Sequence, residues 1–242
     1  MPDLKPPAAL HEDAALFLDF DGTLVELAET PDSIRVPEGL APLLERLRRR
    51  LGGRLAIVSG RSLADLERHL PASGIAFSGS HGLELRLADG ARLPLSVPIG
   101  LDDVADKVRR FADEVPGLIA EAKPAGIALH YRRAPGAEVR VGRFMDNLAA
   151  RHGFSVQRGA MVIELRPLGA TKGDALRAFM TEPVFAGARP WFVGDDLTDE
   201  HGFEAAAELG GAGILVGPPR DTAARYRLES VAAVRDWLGA GA

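Results

Sequence analysis

The sequence contains no cysteine, no long apolar run and no excess of basic residues. Without cysteine, disulfide bonds, thiolate catalysis and cysteine-based zinc sites are excluded, and the absence fits a reducing compartment. No apolar run approaches the ~20 residues that a membrane-spanning helix needs. Residues 1–13 lack the charged start and apolar centre of a signal peptide. We therefore expect a cytoplasmic protein.

Charge and composition narrow the function classes further. The formal net charge is -5, so the overall charge does not favour binding to nucleic acid or to an anionic membrane. The chain has 242 residues, 46% of them hydrophobic and 26% charged, which fits a globular protein of one large or two modest domains. No sequence feature indicates an obligate protein partner.

Strand-like and helix-like segments alternate in both outer parts of the chain. The apolar strand segments are 14–18, 54–58, 75–78, 191–193 and 212–216. The helical segments are 38–51, a helix opened by Ser62 with Asp65 three residues on, 171–180, 200–209 and 231–238. This alternation predicts a parallel sheet with helices on both faces.

The middle of the chain has a different pattern. It contains a helix–strand–strand unit twice, with segments 100–111, 118–122, 126–132, 138–151, 154–157 and 161–165. On the second helix, Val139, Phe144 and Leu148 are available for a buried side. The pattern predicts a small inserted α+β domain at 98–168. The core domain would then consist of 1–97 and 169–242.

Two aspartates follow the first predicted strand. Asp19 ends the apolar run, Asp21 lies two positions on, and Gly22 and Thr23 come next. A carboxylate at the end of a buried parallel strand lies at the sheet edge where open α/β sheets bind ligands. One acid can attack an electrophile or bind a metal while the other transfers a proton. By itself, this pattern more often marks an ordinary turn at a strand end.

Three further polar groups occupy comparable positions. Ser59 follows the second strand, where its hydroxyl and nearby amides can hold a phosphate oxygen. Lys172 lies at a helix start, where the helix dipole disfavours a cation unless an anion is bound. The acids within 195–200 require a compensating cation or basic group, and hard oxygen ligands suit magnesium. The alternatives are a turn serine, a solvated lysine and acids at a helix start.

These motifs together resemble those of a known superfamily. The ordered set that resembles the four motifs of the haloacid dehalogenase superfamily is Asp19-Phe20-Asp21-Gly22-Thr23, Ser59, Lys172, and Gly194-Asp195-Asp196 with Asp199. The segments that resemble the trehalose-6-phosphate phosphatase family are Ser59-Gly60-Arg61, Gly79-Ser80-His81-Gly82, Glu121 with Lys123, His130-Tyr131-Arg132, and Glu164-Leu165-Arg166-Pro167. The resemblance implies a Rossmann-like α/β core with an inserted α+β cap.

The resemblance also implies a reaction. It is the hydrolysis of trehalose 6-phosphate to trehalose and phosphate, in trehalose biosynthesis. Asp19 would be the nucleophile that forms an aspartyl-phosphate, and Asp21 would act as general acid and then as general base. Ser59 and Lys172 would hold the phosphate oxygens.

A magnesium ion and a sugar site belong to the same set of implications. The metal ligands would be Asp19, Asp195 and the backbone carbonyl of Asp21, with Asp196 and Asp199 acting through waters. The residues expected to bind or position the substrate are Thr23, Arg61, His81, Glu121, Lys123, His130, Arg132 and Glu164. The polar residues on the middle strands alternate with apolar ones and so share one face, which also fits a solvent-exposed antiparallel sheet.

Other functions stay open at this point. A phosphatase for another sugar phosphate, such as sucrose phosphate or mannosylphosphoglycerate, would share these motifs. A phosphosugar transferase or mutase would pass the phosphoryl group to a sugar instead of water. A non-catalytic sensor would lack one of Asp19, Asp21, Lys172 or Asp195, and all of these residues are present. In each case we expect a small sugar phosphate as the binding partner.

Overall fold

The computed structural model describes residues 4–27, 34–71, 74–93, 100–123, 126–159, 161–167 and 171–240. The chain divides into two compact units, one formed by Met1–Pro94 with Ala170–Ala242 and the other by Leu95–Gly169. The predicted domain boundaries, at 97/98 and 168/169, lie outside the described residues. Within the described part of the chain, no helix is long and apolar enough to cross a membrane.

Strands and helices alternate along most of the larger unit. The elements in chain order are β1 (Ala14–Leu18), α1 (Leu40–Arg50), β2 (Leu55–Val58), α2 (Leu63–His69), β3 (Ala76–Gly79), β4 (Glu84–Arg86), β5 (Arg92–Leu93), α3 (Leu101–Glu114), β6 (Ile119–Lys123), β7 (Gly126–His130), α4 (Glu138–His152), β8 (Phe154–Gly159), β9 (Val162–Pro167), α5 (Lys172–Met180), β10 (Arg189–Gly194), α6 (Glu200–Glu208), β11 (Ala212–Val216), β12 (Tyr226–Leu228) and α7 (Val231–Ala240). The α/β fold class predicted from the sequence is confirmed.

The larger unit contains an eight-stranded sheet in the order β12-β11-β10-β1-β2-β3-β4-β5. All neighbouring strands from β12 to β3 are parallel, and only β4 and β5 pair in antiparallel fashion. From β1, the chain builds the sheet first toward β3 and later, from β10, in the other direction. The strand order therefore reverses between β1 and β10, and open α/β sheets bind ligands beyond the carboxyl ends of strands at such a point.

Both faces of β1 are buried. Leu16 and Leu18 belong to one apolar cluster, together with the leucines of α1, whereas Phe17 belongs to a second cluster on the opposite face. The Phe17 ring stacks on Phe185 with 5.5 Å between ring centroids. Each such buried side chain contributes roughly 1.5–3 kcal/mol of transfer free energy. This packing fixes the strand and hence the place of the next residue, Asp19.

Helix α5 begins at a well-defined point. The Thr171 side chain accepts a hydrogen bond from the Asp174 amide at 3.1 Å, and the Asp174 carboxylate accepts one from the Thr171 amide at 3.0 Å. This capping box satisfies amides that a helix start leaves without partners. Gly173 lies against α6 so closely that a Cβ there would overlap the carbonyl oxygen of His201. The cap and the close packing together fix Lys172 as the first residue of α5.

The smaller unit is an antiparallel sheet in the order β6-β7-β9-β8, with α3 and α4 packed on one face. Its other face carries most of the polar side chains. In the register of the sheet, Glu121 lies opposite Ala128, which lies opposite Glu164. Residues directly opposite each other point to the same side of a sheet, so both glutamates share one face.

Two details of the sequence prediction need correction. Val139 does not belong to the buried side of α4, because its exposure is 68%. The buried side is formed by Val141, Met145 and Leu148, which follow the helical spacing of four and three residues. In addition, strands β4, β5 and β12 were not predicted, since runs of two or three residues are too short to show a period. The other element bounds agree with the prediction within three residues.

Candidate active site

The candidate site lies at the carboxyl edge of the larger sheet, where four elements end or begin. Asp19 follows β1, and its amide donates to the Val193 carbonyl of β10 at 2.9 Å. Ser59 follows β2, and Asp195 follows β10. Since β1 is parallel to both neighbours, these side chains come to the same edge of the sheet. Lys172 reaches this edge from the start of α5.

Lys172 joins two carboxylates in the interior of the site. Its Nζ donates to Oδ1 of Asp19 at 2.8 Å and to Oδ1 of Asp199 at 2.6 Å. All three side chains are at most 5% exposed. The solvated lysine that the sequence left open is therefore wrong. In a buried ion network of this kind, well-placed hydrogen bonds offset the cost of removing the charges from water. Removal of one partner leaves a buried charge without compensation.

Asp199 also organises the loop that follows β10. Its Oδ2 accepts hydrogen bonds from the backbone amides of Asp195 and Asp196, each at 3.0 Å. Both of its oxygens are thus engaged, one by Lys172 and one by the loop. Asp196 is more exposed, and its Oδ1 accepts a hydrogen bond from the Thr198 hydroxyl at 2.7 Å.

The carboxylates of this site carry more negative charge than Lys172 neutralises. Burial raises the pKa of Asp19 to about 6, with the charge of Lys172 opposing the shift. Burial and the charges of Asp199 and Asp196 raise the pKa of Asp195 to about 6. Burial and the charge of Asp19 raise the pKa of Asp199 to about 7. For Lys172, burial lowers the pKa, but the two aspartates outweigh it and raise the pKa above its ordinary value.

A divalent cation fits this excess charge. Oxygens of Asp19, Asp195 and Asp199 all lie within 4.8 Å of one another, close enough to face a common ion. Hard carboxylate oxygens are the ligands that Mg²⁺ and similar ions prefer. Gly22 opens the space beside Asp195: its φ is 75°, and a Cβ there would overlap the Asp195 carboxylate. The donor set therefore suits a metal ion.

Asp21 has a separate partner. Arg61 donates from Nε to Oδ2 of Asp21 at 2.6 Å and from Nη2 to Oδ1 at 2.8 Å. The third arm of the guanidinium, Nη1, donates to Oδ2 of Asp65 at 2.6 Å. These contacts raise the pKa of Arg61 above its ordinary value, with the Asp21 hydrogen bonds as the largest cause. The two aspartates of the first motif are therefore paired with different cations.

A cavity of about 740 Å³ opens onto these groups. Its lining includes the predicted site residues Asp19, Asp21, Ser59, Arg61, His81, Lys172, Asp195 and Asp196. Thr23 is not among the lining residues. It is fully buried, and its hydroxyl has no hydrogen-bond partner among the described residues. The structure thus brings eight of the predicted residues of the larger unit to one cavity, whereas Asp199 and Thr23 are not among its lining residues.

His81 lies in an unusual turn beside Ser59. Ser80 and His81 have φ values of 50° and 58°, which lie in a backbone region that residues other than glycine rarely occupy. The His81 amide donates to the Ser59 carbonyl at 3.0 Å. The imidazole lies over Gly60, where a Cβ would be 2.6 Å from Cε1 of the ring. Such strained backbone clusters at functional sites.

The remaining predicted residues lie in the smaller unit. Glu121 forms an ion pair with Lys123 and a hydrogen bond with His130, whose Nε2 is 2.8 Å from Oε2 of Glu121. Hydrogen bonds from Lys123 and His130 lower the pKa of Glu121. Glu164 pairs with Arg166 at 2.9 Å. A cavity of about 400 Å³ is lined by Gly117, Ile119, Glu121, His130, Arg132 and Arg133, so it adjoins Arg132 and the Glu121–His130 pair but not Lys123 or Glu164.

Sequence reasoning missed three supporting residues. Asp65 was read only as part of a helix cap, although it also holds Arg61. Arg220 donates to the Asp196 carbonyl at 2.7 Å and forms an ion pair with Glu200. Glu200 also accepts a hydrogen bond from the Ala223 amide at 2.7 Å. The acidic run at 195–200 signals Glu200, whereas nothing local to Arg220 indicates its contact with a loop more than 20 residues earlier.

Comparisons with known proteins agree on one family. A family model described as trehalose-phosphatase matches residues 17–232. A probable trehalose-phosphate phosphatase of Sinorhizobium fredii is 40% identical over 207 residues, which are 85% of this chain and 78% of that protein. The trehalose-6-phosphate phosphatase of Escherichia coli is 36% identical over 226 residues, 93% of this chain and 85% of that protein. A solved trehalose-6-phosphate phosphatase related protein is 28% identical, with a TM-score of 0.64 over 92% of this chain and 94% of that one.

Proposed function

This chain belongs to the trehalose-phosphatase family of haloacid dehalogenase phosphatases, and from that premise we propose that it hydrolyses trehalose 6-phosphate to trehalose and phosphate through an aspartyl-phosphate, in trehalose biosynthesis. The observation that carries the proposal is the buried contact of Lys172 with Asp19 and Asp199 at the edge of the cavity. It holds one carboxylate as an anion beside a space that a phosphate ester can enter.

Asp19 is the proposed nucleophile. Lys172 engages its Oδ1 and favours the ionised form, which leaves Oδ2 to attack phosphorus. As the bond from Oδ2 to phosphorus forms, the bond from phosphorus to the sugar oxygen breaks, and its electron pair goes to that oxygen. Lys172 and Ser59 stabilise the charge on the phosphoryl oxygens.

Asp21 is the proposed general acid and base. A sugar alkoxide is a poor leaving group, so the protonated Asp21 carboxyl gives its proton to the departing oxygen. The resulting Asp21 carboxylate then takes a proton from water, whose oxygen attacks phosphorus. The bond between phosphorus and Asp19 breaks, phosphate leaves, and both aspartates return to their starting states.

The metal we propose is Mg²⁺. Its ligands would be the carboxylates of Asp19 and Asp195 and the backbone carbonyl of Asp21, while Asp199 and Asp196 act through waters. Asp199 suits the indirect role because both of its oxygens already accept hydrogen bonds. When bound, the ion supplies positive charge that offsets the charge of the phosphoryl group and the attacking carboxylate.

The smaller unit is the proposed source of sugar recognition. Glu121 and Glu164 share one sheet face, and His130 and Arg132 line a cavity beside Glu121. Hydroxyl-rich ligands need several directional donors and acceptors, and this face provides both. The expected sugar-binding set is Glu121, Lys123, His130, Arg132 and Glu164, with Arg61 and His81 from the larger unit. Its role as a cap stays a prediction, as does the cytoplasmic location.

The test is phosphate release from a panel of sugar phosphates. It compares the wild type, Asp19→Asn and Asp106→Asn, each with Mg²⁺ and with a chelator. The Asp106 substitution serves as the control because that carboxylate is 61% exposed and lies in the other unit. We expect release from trehalose 6-phosphate that Asp19→Asn and the chelator abolish and Asp106→Asn keeps. Release from a different sugar phosphate would overturn the substrate, and release by Asp19→Asn would overturn the nucleophile.

A further inference from the structure

We infer that Arg61 is a positioning residue: it fixes the orientation of the Asp21 carboxylate for proton transfer, and Asp65 holds Arg61 in place. This inference rests on the proposed function, because it assumes that Asp21 transfers the proton to the leaving group. It adds a role distinct from the substrate contact that the family resemblance implies for Arg61.

The contacts form a chain from the helix to the reacting carboxylate. Two parallel hydrogen bonds join the guanidinium to both oxygens of Asp21, at 2.6 and 2.8 Å. A carboxylate held through one oxygen can still rotate about its Cβ–Cγ bond, whereas one held through both cannot rotate without breaking a contact. Charge-assisted pairs of this geometry are among the stronger hydrogen bonds in proteins. The Asp21 plane is therefore set by Arg61.

Arg61 is itself well fixed. Its side chain is only 10% exposed. Its Nη1 donates to Asp65 at 2.6 Å, and its backbone amide donates to the Ser59 hydroxyl at 3.2 Å. Asp65 is anchored in the first turn of α2, where its amide donates to the Ser62 hydroxyl at 3.2 Å. The position of Asp21 thus depends on a helix that carries none of the proposed catalytic residues.

The pairing also separates the two aspartates chemically. Lys172 contacts Asp19 but makes no hydrogen bond to Asp21 among the described residues, whereas Arg61 contacts both carboxylate oxygens of Asp21. In the first step, the proton moves from an Asp21 oxygen to the sugar oxygen, whose bond to phosphorus breaks. Arg61 neither gives nor accepts a proton. The Asp21 oxygen that carries the proton keeps a lone pair, so both oxygens can still accept hydrogen bonds from Arg61 during the step.

The test measures how much each variant depends on the acidity of the leaving group. A series of substituted phenyl phosphates varies the leaving phenol from weakly to strongly acidic at nearly constant shape. General acid catalysis contributes about 10²–10⁴-fold when the leaving group is poor and little when it is good. We expect Arg61→Ala to lose about 100-fold more kcat/KM on phenyl phosphate than on dinitrophenyl phosphate. Asp65→Asn should show the same pattern with a smaller loss.

Three further variants make the result specific. Arg61→Lys keeps the charge but not the two-armed geometry, so it should fail to restore the wild-type dependence. When Arg61→Ala is combined with Asp21→Asn, kcat/KM should depend on the acidity of the leaving phenol no more strongly than in Asp21→Asn alone, because both substitutions act on one step. Arg177→Ala removes a half-exposed arginine from ion pairs on α5. Its kcat/KM should depend on the leaving group as that of the wild type does.

Two outcomes would overturn the inference. An equal loss across the phenyl series would mean that Arg61 serves phosphate binding or folding alone. Full rescue by Arg61→Lys would mean that only its charge matters. Failure of the proposed function is seen separately, as absence of phosphate release from trehalose 6-phosphate by the wild type, and the phenyl series still tests the role of Arg61 in that case.

Discussion

At the scale of single residues, the site depends on which cation each carboxylate contacts. Lys172 binds Asp19 across 153 residues of sequence, and Arg61 binds Asp21 across 40. Both pairs are direct, but only the Lys172 pair is almost fully buried. Because solvent screens a buried ion pair only weakly, its stability depends strongly on the distance and orientation of the two groups. The small residues around these pairs matter for the same reason.

Gly22 provides a test at this scale with a matched control. Gly22 and Gly187 have the same φ of 75°, but a Cβ on Gly22 would overlap the Asp195 carboxylate, whereas a Cβ on Gly187 would meet nothing within 4 Å. We expect Gly187→Ala to cost about 1–2 kcal/mol of stability from backbone strain alone. Gly22→Ala should lose the same stability from backbone strain. It should also lower phosphatase activity at least tenfold, because Asp195 must move. Denaturant unfolding and phosphate release measure the two effects.

Equal behaviour of the two alanine variants would contradict this account. In that case the space beside Asp195 would have no bearing on the site. A loss of activity in Gly22→Ala that high Mg²⁺ concentrations restore would locate the damage in metal binding. A loss that they do not restore would locate it in the position of Asp21.

At the scale of elements, the loop after β10 is held from two sides. Asp199 accepts hydrogen bonds from the amides of Asp195 and Asp196. On the other side, Arg220 donates to the Asp196 carbonyl at 2.7 Å, and its ion pair with Glu200 connects it to the start of α6. A short loop that is fixed at both its amides and its carbonyls keeps its side chains in place.

Arg220→Ala tests this second support. We expect it to weaken Mg²⁺ binding about 10–100-fold, the range typical of residues that orient metal ligands, with a smaller effect on overall stability. The measurement is the rise in melting temperature on titration with Mg²⁺, which does not depend on activity. Arg189→Ala is the control, because that side chain is 71% exposed and pairs only loosely with Asp13 at 3.6 Å. Identical titrations for both variants would exclude a role for Arg220 in the loop.

At the scale of the whole molecule, the acidic site makes stability depend on pH and on metal. The pKa values of Asp19 and Asp195 are raised to about 6 and that of Asp199 to about 7, against 3.8 in the unfolded chain. Between about pH 4 and about pH 7, these carboxyl groups bind more protons in the folded state than in the unfolded state. Without metal, the contribution of these groups to stability is present below about pH 4 and is lost as pH rises toward 7.

The proposed Mg²⁺ ion should reverse this trend, because it would bind the ionised carboxylates. We expect the rise in melting temperature caused by Mg²⁺ to be small near pH 4.5, to grow through pH 6, and to level off above pH 7, at roughly the pKa values of the site. Melting curves with Mg²⁺ and with a chelator at each pH check this, and their difference removes the titration of all other groups. The same rise at every pH would mean that the metal does not bind these aspartates.

The sequence by itself determined the main strands of the larger sheet and the edge at which the candidate site lies. Continuous apolar runs such as 14–18 identify buried parallel strands, and a residue that follows such a strand must lie at the carboxyl edge. The positions of Asp19, Ser59 and Asp195 follow from this local rule. The cap of α2 at Ser62 was likewise readable, because capping depends on residues within one helical turn.

Only the tertiary structure decided how the charged groups pair. Nothing local shows that Lys172 contacts Asp199 as well as Asp19, that Arg61 engages Asp21 through both oxygens, or that Thr23 is fully buried. The reason is physical. Each cation has several acceptors within reach of its long side chain, and the choice among them is made by the packing of distant elements, not by sequence spacing.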